Sequence, residues 1–135
     1  MRKGKLLMLD DNAELCASFG RYFKIQGWEF KAAAEAGECL KALEDFQPDA
    51  LILDCNLGKN DREGLEFLKF LRGHRKHRGL AVLVLTGTRK KSDQAAQGFG
   101  LGADQYLVKP VSPRALEARL VMLLRFVRRS SLATE

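Results

Sequence analysis

The sequence predicts a single α/β domain built on a mostly parallel sheet of five strands with right-handed crossovers. Three observations carry that expectation. Short apolar runs recur along the chain, the apolar spacing between them changes to that of helices, and capping residues stand where one pattern gives way to the other. A chain of 135 residues has room for one domain with a substantial core, because domains commonly run about 100 to 150 residues.

The elements follow in order. Leu6 to Leu9, Ala50 to Leu53, Leu80 to Leu85 and Tyr106 to Val108 are apolar without polar alternation, as suits parallel strands covered on both faces. Trp28 to Ala32 alternates instead, which predicts a half-exposed edge strand. Leu15, Phe19, Tyr22 and Phe23 fall on one helical stripe, with Asn12 placed to cap its start and Gly27 to follow its end. Shorter helical patterns cover Ala36 to Phe46, Glu63 to Arg72 and Ser92 to Gly100. The last helix is announced by Ser112-Pro113, an N-cap followed by proline at the first helical position, and carries Leu116, Leu120, Leu123, Leu124 and Val127 on one stripe. Five helices therefore alternate with five strands, in a domain expected over residues 1–128 with a frayed tail over 129–135. There is no internal repeat, low-complexity tract or interdomain linker.

Composition excludes several classes. With 46% hydrophobic and 30% charged residues, the chain is neither disordered nor fibrous. No apolar run approaches the roughly 20 residues of a membrane span, and the run behind the basic N-terminus stops at Asp10, too soon for a signal peptide. A cytoplasmic location is expected. Cys16, Cys39 and Cys55 match neither a metal knuckle nor a disulfide framework and read as reduced core thiols. The net charge of +6 is uneven: residues 1–72 carry 11 Lys or Arg against 13 Asp or Glu, and residues 73–135 carry 12 against 4. The basic half would favour an acidic surface on a partner. Without aromatic-interleaved basic motifs, nucleic acid is not directly expected.

In open parallel sheets, sites form at the carboxyl ends of the strands. Here the strands end in Asp10-Asp11, in Asp54, in Thr86-Gly87 and in Lys109-Pro110, which brings these groups to one edge. Carboxylates gathered there need a counter-charge. Oxygen ligands without neighbouring His or Cys select a hard divalent cation, with Mg²⁺ the natural candidate. Lys109 supplies a compact cation for an anion, Thr86 a hydroxyl donor, and Asp54, alone on its strand, a carboxylate nucleophile able to take up a phosphoryl group.

These residues, in this order, resemble the receiver domain of bacterial two-component response regulators. The likeness runs from Leu6-Leu7-Met8-Leu9-Asp10-Asp11 through Ala50-Leu51-Ile52-Leu53-Asp54 and Val84-Leu85-Thr86-Gly87 to Gly102-Ala103-Asp104-Gln105-Tyr106-Leu107-Val108-Lys109-Pro110. The resemblance implies a doubly wound, flavodoxin-like sheet of order 2-1-3-4-5. It implies Asp54 as phosphoacceptor from a histidine kinase or phosphotransfer protein, and Mg²⁺ held by Asp10, Asp11, Asp54 and the backbone carbonyl of Asn56. Lys109 and Thr86 would contact the phosphoryl group, and Tyr106 would be the switch aromatic that turns inward when Thr86 moves. The Lys109-Pro110 bond would be cis, and the face of the last strand and flanking helices would meet a downstream protein or a second copy. The result would be a signalling switch with at most slow self-dephosphorylation.

Two features depart from, or compete with, that pattern. Asn56 to Gly64 is longer than usual, with Gly58 near the expected proline, which leaves the loop beside the acceptor open, and Lys59 and Arg62 in it. A haloacid-dehalogenase-like Mg²⁺-dependent phosphohydrolase also uses a strand-end aspartate, but the second aspartate of its DxD pair is replaced by Asn56, leaving no general acid. A degenerate docking receiver is a further alternative, against which every signature side chain is present. His74 and His77, in a basic loop with no third ligand nearby, have little support as a metal site.

Overall fold

A computed structural model describes residues 3–55, 57, 63–87 and 102–133, with the side chains of the last helix described as far as Val127. The strands are β1 (Gly4–Leu9), β2 (Trp28–Ala33), β3 (Ala50–Asp54), β4 (Ala81–Thr86) and β5 (Gln105–Val108). Among the described residues the helices are α1 (Ala13–Ile25), α2 (Ala36–Asp45), α3 (Glu63–Gly73) and α4 (Pro113–Ala133), with a 3₁₀ turn over Arg75–His77. The helix expected over 92–100 lies outside the described residues.

All the strands pair in parallel in the order β2-β1-β3-β4-β5, so the doubly wound expectation holds. Side chains alternate across the sheet and fill two cores. Leu7, Leu9, Leu51, Leu53, Val82 and Val84 point to the layer of α2 and α3. Leu6, Met8, Ala50, Ile52, Leu83 and Leu85 meet the stripe of α1 (Cys16, Phe19, Phe23) and that of α4 (Leu116, Leu120, Leu123, Leu124). The central strands β3 and β4 are buried throughout, which explains why they read as unbroken apolar runs.

Caps act where the sequence placed them. The Asn12 side chain accepts from the Leu15 N–H at 3.1 Å, and the Ser112 hydroxyl from the Ala115 N–H at 3.1 Å. Two expectations are corrected. β5 is only partly buried, with Val108 exposed, because it closes the sheet at the edge opposite β2 and has a neighbour on one side only. And α4 continues to Ala133, into the segment read as a tail, since nothing from Arg128 onward introduces a glycine or proline to stop it.

At the end of the sheet away from the strands' carboxyl ends, Arg72 ties α3 to the start of β4 and β5. Its guanidinium donates to the carbonyls of Leu80 (2.6 Å) and Gly102 (2.9 Å) and to Asp104 Oδ2 (3.0 Å), and that same carboxylate oxygen accepts the Val82 N–H at 2.8 Å. Gly102 has φ +103°, and a β-carbon there would lie 2.8 Å from Arg72 Cγ. This brace fixes the strands from below and leaves their upper ends to carry chemistry.

Candidate functional site

Parallel register sets the site. Leu9 pairs with Leu53, Leu53 with Val84 and Thr86 with Val108, so Asp10, Asp54, Thr86 and Lys109 emerge at one level of the carboxyl edge. Asp10 and Asp54 are buried, whereas Asp11 is exposed, and one carboxylate oxygen from each of the three lies within 4.8 Å of the others. At that spacing each pair of like charges repels by about 3 kcal/mol at an effective dielectric near 20. The strand ends hold them there through backbone bonds: Asp10 N–H donates to Ala33 O at 3.1 Å and Cys55 N–H to Leu85 O at 2.8 Å.

Lys109 answers part of this charge. Its Nζ is 3.1 Å from Asp10 Oδ2 and 3.6 Å from Asp54 Oδ1. Burial disfavours the ammonium, but the carboxylates of Asp54 and Asp10 outweigh it and hold the Lys109 pKa above its usual value. Its backbone is anchored too, Lys109 N–H donating to Thr86 O at 2.6 Å, and the Lys109-Pro110 bond is cis. Lys109 is a monovalent cation between two of the three carboxylates, and a divalent cation suits such a cluster. All the donors are hard oxygens, with no His or Cys among them, so the acidic cluster fits a metal of the Mg²⁺ or Ca²⁺ class. Asn56 lies outside the described residues, as do the loop positions Gly58 to Arg62.

Thr86 is buried, and among the described residues its Oγ1 has no hydrogen-bond partner. A hydroxyl left this way costs about 1 to 3 kcal/mol unless something binds it, and it stands at the end of the strand beside Asp54. Tyr106 is half-buried and donates to Cys55 Sγ at 3.8 Å. Burial and then that bond push its phenol up to about 12; the nearby Thr86 hydroxyl pulls the other way but lies outside hydrogen-bond geometry.

Two participants were not legible in the sequence. A β-carbon on Gly64 would lie 2.4 Å from Asp54 O and 2.7 Å from Cys55 Cα, so only glycine lets α3 start directly against the end of β3. The contact of Tyr106 with Cys55 joins residues 51 apart in the chain, which no local pattern encodes. Elsewhere, His74 and His77 gather no third ligand among the described residues, and His74 Nδ1 lies 3.0 Å from Phe70 O. The cysteines form no disulfide and are buried; burial pushes the Cys39 thiol up to about 12, and burial with the Asp10 charge pushes Cys16 up to about 11.

A family model described as the response regulator receiver domain matches residues 6–121. The chain belongs to the response regulator receiver family. This receiver is similar to the transcriptional regulatory protein PrrA of Mycobacterium tuberculosis, at 35% identity over 130 residues, which is 96% of this chain and 53% of that protein. It is also similar to the alkaline phosphatase synthesis transcriptional regulatory protein PhoP of Bacillus subtilis, at 34% identity, covering 90% of this chain and 50% of the relative. The receiver thus spans about half the length of such relatives. Among solved structures, a response regulator from Chloroflexus aurantiacus superposes with a TM-score of 0.80 at 30% identity, covering 90% of this chain and 98% of that one. A CheY-like receiver domain protein from Methanospirillum hungatei gives 0.82 at 28% identity, covering 93% and 97%. No helix among the described residues is long and apolar enough to cross a membrane.

Proposed function

We propose that this receiver is a phosphorylation-dependent signalling switch in which Asp54 accepts a phosphoryl group from a histidine kinase or phosphotransfer protein of the cytoplasm. The observation that carries this reading is the convergence of three carboxylates and the Lys109 ammonium beside a buried hydroxyl that has no partner among the described residues. Such a set of groups suits a cation and an anion held together.

Asp10, Asp11 and Asp54 would hold Mg²⁺, with the Asn56 carbonyl as a further ligand. When bound, the ion neutralises the carboxylates and the charge that builds on the transferring phosphoryl oxygens. A carboxylate oxygen of Asp54 attacks phosphorus, the bond from phosphorus to the donor's imidazole nitrogen breaks with its electron pair leaving on that nitrogen, and an acyl phosphate remains. Lys109, held by Asp10 and close to Asp54, moves its attraction onto the phosphoryl oxygens. Thr86 donates its hydroxyl to one of them, and Tyr106, on the neighbouring strand, is the switch aromatic whose inward position this favours. The phosphoryl group binds that arrangement better and so shifts the population toward it. The output surface would be the face of the last strand and helix, where Val108, Met122 and Phe126 are exposed and a downstream protein or a second copy could cover them.

Acetyl phosphate with Mg²⁺ should add one phosphoryl group, seen by intact-protein mass, and Asp54→Asn should abolish it. Uptake unchanged in that variant would refute the assignment. Sustained turnover of a phosphomonoester would favour the phosphohydrolase alternative instead; none beyond slow self-hydrolysis is expected.

A further inference from the structure

Cys55, the residue after the phosphoacceptor, is fully buried and fixed from several sides. Its N–H donates to Leu85 O at 2.8 Å, the start of α3 rests on its backbone through Gly64, and its side chain belongs to the core of Leu53, Leu57 and Val84. A sulfur held like this is an acceptor that cannot follow a moving partner. The Tyr106 hydroxyl donates to it at 3.8 Å, and the ring packs against the same core. By strand alternation Thr86 shares the face of Val84, whose register partner is Tyr106, so among the described residues the phenol has Cys55 Sγ and Thr86 Oγ1 near it. It uses the sulfur, and the Thr86 hydroxyl stays without a protein partner among the described residues.

We propose that Cys55 is the positioning residue of the Tyr106 switch: its thiol holds the ring inward before any phosphoryl group arrives and keeps the phenol off Thr86 Oγ1, which remains available to a phosphoryl oxygen. The proposal rests on the reading of Asp54 as phosphoacceptor. If the thiol is removed, the phenol either swings outward or bonds Thr86, and each outcome lowers the fraction of molecules ready for the anion. Apparent affinity falls in proportion to that fraction.

The test uses beryllium trifluoride with Mg²⁺, a phosphoryl mimic, titrated into the wild type, Cys55→Ala, Cys55→Ser, Tyr106→Phe and the Cys55→Ala/Tyr106→Phe double variant. Nuclear Overhauser contacts of the Tyr106 ring with side-chain protons at position 55 and of Thr86 are read in the same proteins without the probe. Cys55→Ala should weaken apparent affinity roughly two- to ten-fold, the worth of one modest hydrogen bond, and Cys55→Ser, which restores an acceptor, should recover most of it. In the Tyr106→Phe background, Cys55→Ala should change nothing further. Affinity unchanged in Cys55→Ala, or weakened equally with and without the phenol, would overturn the proposal, because Cys55 would then act through packing or not at all. Should the alanine variant not fold, Cys55→Val removes the acceptor while filling the space, with the same outcomes. If the wild type itself does not bind the mimic, the phosphoacceptor reading fails, and the ring contacts alone decide this proposal: loss of the contacts with position 55, or new contacts of the ring with Thr86, in Cys55→Ala supports it, and an unchanged set of contacts overturns it.

Discussion

Replacing Glu117 by alanine should cost about 2 to 4 kcal/mol of folding stability. This carboxylate on α4 collects donors from three separate parts of the chain: Trp28 Nε1 at 2.7 Å and Lys3 Nζ at 3.1 Å on one oxygen, and the Tyr22 hydroxyl at 2.9 Å on the other. The largest share comes from Trp28, which is buried and would keep an unpartnered indole N–H, worth about 1 to 3 kcal/mol. The Tyr22 hydroxyl adds a smaller share. Lys3, 43% exposed, adds less than that because solvent screens the pair. Against a typical domain stability of about 5 to 15 kcal/mol, this loss is large. The assay is urea unfolding followed by far-UV circular dichroism and by the fluorescence of the sole tryptophan. Burial raises the Glu117 pKa, but the Trp28, Lys3 and Tyr22 hydrogen bonds outweigh it, so the folded value lies below the ordinary one. Its contribution is therefore complete above the unfolded-state pKa, about 4.3, and is lost as pH falls through the folded value. The difference between wild type and variant should be full at neutral pH and shrink on acidification below that range. A loss under about 0.5 kcal/mol, or one independent of pH, would refute the reasoning.

Other outcomes follow from the site. Thr86→Val, close in shape, should leave the unphosphorylated protein as stable or up to about 2 kcal/mol more stable, since it removes a buried hydroxyl without a partner among the described residues, while slowing uptake from acetyl phosphate. Urea midpoints and phosphorylation rates measured together check both halves. Lys109→Ala should slow phosphorylation at least about ten-fold without weakening Mg²⁺ binding, because it removes positive charge from the carboxylates; calorimetric Mg²⁺ titration separates the two effects. Gly64→Ala should cost about 1 to 3 kcal/mol, since its β-carbon would sit 2.4 Å from a backbone oxygen that has no flexible way out, a value thermal or urea unfolding would report.

How much was readable beforehand depended on whether the signal was local. The apolar runs of β1, β3 and β4, the stripe of α1 and the caps at Asn12 and Ser112 are contained in a few consecutive residues, and the structure keeps them with boundaries shifted by a residue or two. The carboxyl edge was equally legible, because a parallel sheet must bring Asp10, Asp54, Thr86 and Lys109 together once the strands are recognised. β5 misled because a short apolar run looks the same at an edge as in the middle; only its place in the strand order decides its burial. The Glu117 hub, the Arg72 brace and the bond from Tyr106 to Cys55 were out of reach, each joining residues far apart in the chain by packing angles that no period or cap records.

The most direct measurement is a crystal structure of the protein with Mg²⁺ and beryllium trifluoride. Our account places the fluoride complex on an Asp54 carboxylate oxygen, with Lys109 Nζ and Thr86 Oγ1 both within hydrogen-bond distance of its fluorine atoms and the cation between Asp10, Asp11 and Asp54. The complex seated on another residue, or Thr86 Oγ1 still without a partner while the complex is bound, would contradict it.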